Sequence, residues 1–182
     1  MLVTPTSLPG LLLLESQPCR DERGFLMESF NQRDFEATTG QRARFVQDNL
    51  VVSRRRVLRG LHYQLPPHAQ GKLVRVIRGS AFDVVVDVRR GSPTFGRWSG
   101  MALDAASHLQ IWIPPGFAHG VLALEEDTQV LYKTTDFYAK HCERAIAWND
   151  PTIGICWPEQ GLPPLLSPRD AAAGPLANAE LF

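Results

Sequence analysis

Cysteine is scarce. Cys19, Cys142 and Cys156 are three in number, an odd count with no Cys-x-x-Cys spacing. They read neither as a disulfide framework nor as a zinc site, and idle thiols in a reducing compartment are expected. Net charge is missing too, because Lys plus Arg and Asp plus Glu each count 19. A general nucleic-acid binder draws its affinity from excess positive charge, so that class is disfavoured, while a small anion held by a few arginines is not. Long apolar runs are lacking: near the start, Leu11 to Leu14 is far too short to span a bilayer. No Lys or Arg precedes Arg20, so the basic region of a secretory leader is wanting. A soluble cytoplasmic protein with no membrane partner is expected. There is no Gly-x-Ser-x-Gly, no phosphate-cradling glycine loop and no dinucleotide fingerprint.

What is present is turn-forming residues and alternation. The 182 residues suit one domain, with an N-terminal arm and a helical or irregular C-terminal segment. Fourteen glycines and fourteen prolines cut the chain into short pieces. Many pieces alternate and are rich in β-branched or aromatic residues, the pattern of strands. Strands are predicted at 11–15, 24–30, 44–52, 57–64, 72–78, 81–88, 96–103, 109–113, 120–124, 128–134 and 144–147. Arg78-Gly79-Ser80 reads as a tight hairpin turn. A helix is predicted from Asn31 to Thr39, with Asn31 capping it and Gly40 ending it. Beyond Pro158 the chain is proline-rich, and Ser167 to Ala173 starts a short helix. Many short strands with few helices indicate a mainly β fold, an antiparallel sandwich or barrel. A jelly roll closes its edges better than an open sheet of this length, and spacing alone does not distinguish it from other β architectures.

Several segments carry polar groups within strand-like runs. In Val57-Leu58-Arg59-Gly60-Leu61-His62-Tyr63-Gln64, alternation sends Arg59 and His62 to opposite faces. They reach one cavity only if the chain kinks, and Gly60 is a natural place for a bulge. From this segment alone a satisfied histidine and a surface arginine is the favoured reading. Lys72 shares a face with Val74 and Val76, so it should point to the apolar side, where an ammonium needs a partner, although as the first residue of the strand it could bend out to water. Asp83 and Asp87 either line a polar cavity or face solvent, and solvent is the default. Pro114-Pro115-Gly116-Phe117-Ala118-His119-Gly120 delivers His119 to the start of a strand, where it could hold Asp83 or a phosphate. Tyr132 and Tyr138 are two of only three tyrosines. The run Arg54-Arg55-Arg56 reads as a solvated loop.

Metal binding is disfavoured. Metal-binding jelly rolls of the cupin type use two closely spaced histidines, a glutamate and a later histidine. Here His62 is followed by Tyr63 and Gln64, and only His119 keeps the pattern. Two imidazoles with no nearby carboxylate ligand make a poor site.

Together the segments resemble the dTDP-4-dehydrorhamnose 3,5-epimerases, metal-free members of the cupin superfamily. The matching stretches begin with Asp21-Glu22-Arg23-Gly24-Phe25, Glu28-Ser29-Phe30 and Phe45-Val46-Gln47-Asp48-Asn49. They continue with Leu58 to Gln64, Gln70-Gly71-Lys72-Leu73-Val74-Arg75, Asp83 to Asp87 and Ser92-Pro93-Thr94-Phe95-Gly96. The last are Ile113 to Gly120, Leu131-Tyr132-Lys133, Trp148-Asn149-Asp150 and Ser167 to Ala173.

The resemblance implies a cupin-type double-stranded antiparallel β jelly roll and a homodimer in which an N-terminal segment crosses to the partner. It also implies a dTDP-sugar substrate, dTDP-4-dehydro-6-deoxy-D-glucose, inverted at carbons 3 and 5 without a cofactor. The ketone at carbon 4 acidifies both flanking C–H bonds. Inversion then needs a base on one face of the sugar and an acid on the other. By resemblance His62 is the base, Asp170 its carboxylate partner, Tyr132 the acid, and Lys72 the charge beside the enolate oxygen. Asp83 and His119 form a supporting pair. Arg23 and Arg59 are placed on the diphosphate; Glu28, Gln47 and Asn49 on the base or sugar; Tyr138 against the thymine. Glu143 and Arg169 occupy further binding positions. Arg169 is a departure, since the family often has lysine there.

Overall fold

Period-two alternation sorts strand residues onto opposite faces, and here two such sheets lie face to face. The structure is a computed structural model that describes residues 1–158 and 161–182. Within the proline-rich stretch from Pro158, Glu159 and Gln160 therefore lie outside the described residues. The strands are β1 (Leu2–Pro5), β2 (Leu12–Glu15), β3 (Cys19–Asp21), β4 (Gly24–Leu26), β5 (Gln47–Ser53), β6 (Leu58–Gln64) and β7 (Lys72–Arg78). They continue with β8 (Ser80–Asp87), β9 (Trp98–Asp104), β10 (Leu109–Ile113), β11 (Phe117–Ala123), β12 (Thr128–Thr134) and β13 (Glu143–Ala145). Helix α1 is Gln32–Thr39, α2 is Pro168–Ala171, and a 3₁₀ turn covers Leu176–Asn178. One sheet runs β1-β2-β10-β7-β12-β5, the other β13-β6-β11-β8-β9, and β3-β4 forms a separate hairpin. This is an antiparallel jelly roll.

Between the sheets Val74, Val76, Val85, Ile111, Ile113 and Val130 pack as the central core. Residues of opposite parity serve two further layers. Leu73 and Trp112 turn outward and meet Leu14 and Phe35 of α1. There Trp112 takes Phe35 and Phe45 edge-on, at 5.3 Å and 5.8 Å between ring centres, an arrangement that matches ring edge to ring face. Asn31 caps α1 by accepting from the Arg33 and Asp34 amides, as expected. On the far side Leu61, Tyr63, Val84 and Val86 pack under Ile153 and Leu176 of the C-terminal segment. That segment is tied down by parallel bridges, Val57 to Leu165 and Ile146 to Gly174. The Tyr63 hydroxyl adds a bond to the Glu180 carbonyl at 2.6 Å. Strand β8 is thus covered on both faces, which is why valine runs unbroken from Val84 to Val86.

The expected hairpin at Arg78-Gly79-Ser80 is not one. β7 and β8 belong to different sheets, and the chain turns a corner between them. Gly79 makes the corner with φ of 72°, where a Cβ would come 2.8 Å from Thr128 Oγ1. Two strands went unpredicted. β1 ends in Pro5, which an edge strand tolerates, and β3 is wholly exposed, so neither shows alternation. The expected strand at 120–124 begins at Phe117, so His119 stands inside β11 rather than at its start.

Candidate active site

The site begins with a defect in β6. Gly60 has φ of 143°, and a Cβ there would lie 2.5 Å from the Gly120 Cα, so only glycine fits. Register against β11 shifts at this point: His62 faces His119, but Arg59 faces Val121. The slip brings Arg59, which is exposed as expected, and His62, which is held by Asp170, onto one cavity. The Arg59 Nε also donates to Ser53 Oγ at 3.2 Å.

The cavity holds about 310 Å³. Its polar lining is Ser53, Arg59, His62, Lys72, His119, Thr128, Tyr132, Ser167, Arg169 and Asp170, and its apolar lining includes Val51, Val121 and Val130. His62 comes from the five-stranded sheet, Tyr132 from the six-stranded one. The imidazole and the phenol therefore reach the cavity from opposite walls.

The His62 Nε2 lies 2.5 Å from Asp170 Oδ1. Burial alone would raise the Asp170 carboxyl. The hydrogen bond and charge of His62, with Ser167 and Arg169, outweigh it and hold the group below its ordinary value. Ser167 caps α2 by accepting from the Asp170 amide at 3.1 Å. The Asp170 carboxylate accepts from the Nε2–H of the imidazole, which leaves Nδ1 as the other ring nitrogen.

Lys72 does point inward, and its Nζ donates to the His62 carbonyl at 3.4 Å. Burial pushes its ammonium down to about 8, against the pull of Asp83 and Glu143. Tyr132 stands across the ladder from Asn49 and Val74. Burial raises its phenol above the usual value, Arg59 opposes this and Glu143 adds to it, so the hydroxyl is protonated at neutral pH.

Asp83 and Asp87 do not face solvent, contrary to the default: they are 1% and 0% exposed. Asp83 Oδ2 meets His119 Nε2 at 2.9 Å. Asp87 accepts from Arg89 at 2.9 Å and 2.7 Å, and from Ser92 and Thr94. Burial would raise its carboxyl, and these donors bring it down to about 2. Asp87 is held inside by donors on both oxygens, whereas Asp83 is met by His119 on Oδ2 and its buried Oδ1 has no partner among the described residues.

Around the mouth, Arg169 Nη1 meets Glu143 Oε2 at 2.5 Å, and the Tyr138 hydroxyl donates to the same oxygen at 2.7 Å. The Tyr138 amide donates to Gln47, whose side-chain amide donates to Asn49. Gln47 and Asn49 share the inward face of β5 with Val51 and Ser53. Arg23 and Glu28 are not brought to this cavity. Arg23 pairs with Asp21 on the exposed β3–β4 hairpin, and Glu28 accepts from Asn31. Ser53 and Ser167 were not singled out as cavity residues; the parity of Ser53 with Gln47 and Asn49 could have found it. Among the described residues no group of three or more His, Cys, Asp or Glu side chains is placed to hold a metal ion. Nor is any described helix long and apolar enough to cross a membrane.

Comparison with known proteins agrees with this geometry. The family model described as dTDP-4-dehydrorhamnose 3,5-epimerase matches residues 5–178. A protein of that name from Pseudomonas aeruginosa is 52% identical over 182 residues, covering 100% of this chain and 99% of its own. One from Shigella flexneri is 50% identical over the same length, again covering 100% and 99%. A crystal structure of the Legionella pneumophila enzyme in complex with dTDP-4-keto-L-rhamnose superposes with a TM-score of 0.94 at 45% identity. That match covers 98% of this chain and 94% of the other. With its jelly roll, its His–Asp pair and its opposed tyrosine, the chain belongs to the dTDP-4-dehydrorhamnose 3,5-epimerase family.

Proposed function

We propose that the protein inverts carbons 3 and 5 of dTDP-4-dehydro-6-deoxy-D-glucose, giving dTDP-4-dehydro-L-rhamnose for dTDP-L-rhamnose synthesis. The observation that carries this reading is the imidazole and the phenol on opposite walls of one cavity. His62 Nδ1 takes the proton from the carbon beside the ketone, and Asp170 stabilises the imidazolium that results. The electron pair moves toward the carbonyl oxygen, where the Lys72 ammonium meets the enolate charge. Tyr132 returns a proton from the other wall, and the phenolate left behind has Arg59 nearby. Exchange with solvent resets both groups before the second carbon is inverted. One ketone activates both centres, so the reaction calls on no redox cofactor or metal.

Arg59 and Arg169 suit the diphosphate through charge-assisted bonds. Gln47, Asn49, Glu143 and Tyr138 at the mouth suit the sugar and the thymine. Arg23 and Glu28 lie away from their own cavity on or near a hairpin whose Phe25 and Leu26 are 51% and 79% exposed. This favours a homodimer in which the hairpin completes the partner's site. Three free thiols and a nucleotide-activated substrate fit a cytoplasmic setting.

Turnover in D2O tests the reading. Deuterium is expected at both carbons of the product by NMR, and label at carbon 3 alone would make the protein a mono-epimerase. His62→Asn is expected to lose on the order of 10³-fold or more in kcat while keeping its affinity for dTDP. Full turnover in that variant removes His62 as the base.

A further inference from the structure

The carboxylate paired with His62 stands on a helix too short to hold itself. α2 is a single turn, and four residues cannot offset the cost of nucleating a helix. Asp170 keeps its place through what surrounds that turn. Ser167 caps its start. Backbone bonds from Leu58 to Leu165 and from Ala147 to Gly174 fix the chain on either side. Among the described residues, the turn's remaining side-chain tie, apart from Asp170 itself, is Arg169 to Glu143.

Glu143 is well placed for such a task. It lies on β13, opposite Gln64 of β6, while Ala145 two residues later stands opposite His62. One two-stranded ladder thus carries both the imidazole and the carboxylate that anchors the imidazole's partner. The Glu143 side chain is 16% exposed, and one of its oxygens accepts from both Arg169 and Tyr138. Tyr138 is tied in turn to Gln47 on the opposite sheet. A half-buried carboxylate with two donors is costly to unpair, so the position of Arg169 is well defined.

We infer that Glu143 is a positioning residue for the catalytic pair: through Arg169 it fixes the one-turn helix that presents Asp170 to His62. The inference rests on the assignment of His62 as base and Asp170 as its partner. It separates Glu143 from a simple nucleotide contact, whose loss would weaken binding and leave turnover intact.

A double-mutant cycle reads the difference. Glu143→Ala is expected to lower kcat at saturating substrate by about ten- to a hundredfold, in addition to whatever dTDP affinity is lost through Arg169. Combined with Asp170→Asn it is expected to be no slower than Asp170→Asn alone, since nothing is left to position. A loss confined to KM or dTDP binding, or losses that multiply in the double variant, would overturn the inference. If thermal melting shows Glu143→Ala to be unfolded, Glu143→Gln takes its place; it keeps the shape without the charge, and the same criteria apply. Deuterium incorporation by the unaltered protein tests the epimerase reading separately, so failure of one is distinguishable from failure of the other.

Discussion

Two histidine–aspartate pairs stand on the walls of one cavity, and they are built in different ways. His119 and Asp83 belong to neighbouring strands of one sheet, β11 and β8, and their side chains are 10% and 1% exposed. His62 and Asp170 are 108 residues apart, joining β6 to the C-terminal segment, and the imidazole is 26% exposed. The first pair is locked into the sheet. The second pair opens its imidazole to the cavity and keeps its carboxylate behind. The proposed base must touch substrate and needs that access, whereas the proposed supporting pair needs rigidity. A third buried aspartate, Asp87, shows the purely architectural case: among the described residues its side-chain partners are Arg89, Ser92 and Thr94.

Breaking each pair in the same way sharpens the contrast. Asp170→Asn is expected to lower kcat about a hundredfold, because the imidazolium loses its counter-charge. Asp83→Asn is expected to lower kcat by less than about tenfold, while its melting temperature falls as a buried bond is weakened. Equal losses in kcat would erase the distinction between base and support.

Lys72 lies between the two pairs, and its charge gives a pH signature. Its ammonium, pushed down to about 8, is present below that pH and lost above it. The rate kcat/KM is therefore expected to fall above pH 8, by about tenfold at pH 9. Lys72→Arg moves this alkaline limb out of range, since guanidinium stays charged. A limb that stays in place in that variant would assign it to another group.

The smallest effect concerns stability alone. Asp87 drops from an ordinary 3.8 to about 2 on folding. A depressed carboxyl stabilises the fold above its unfolded pKa, and this contribution fades as the pH falls from about 4 through 2. It amounts to about 2 kcal/mol at about 1.4 kcal/mol per pKa unit. Urea unfolding of Asp87→Asn is expected to show a shallower loss between pH 4 and pH 2, with turnover kept near that of the parent chain.

The sequence made much of this visible where local chemistry decides. Alternation located most strands, Asn31 announced the start of α1, and the parity of Lys72 with Val74 placed its ammonium inside. Long-range pairing was less legible. Alternation alone could not tell that Gly79 carries the chain to the opposite sheet, because a hairpin turn and a corner use the same residues. Nor could it set Asp83 and Asp87 inside, since their donors, His119 and the Arg89–Thr94 loop, are recognised only once the chain is folded. The kink at Gly60 was readable as an option, but its consequence for Arg59 depends on how closely Gly120 approaches. The pairing of His62 with Asp170 came from resemblance, because nothing in either neighbourhood points to the other.

The stitching of the C-terminal segment onto the five-stranded sheet has a consequence for the order of events during synthesis. Both sheets are complete in sequence by Ala145, yet the acid that tunes His62 emerges 25 residues later. A growing or clipped chain that stops before Leu165 would own every strand and still lack the carboxylate that meets His62. On the proposed mechanism, full activity thus reports that the tail has arrived and docked.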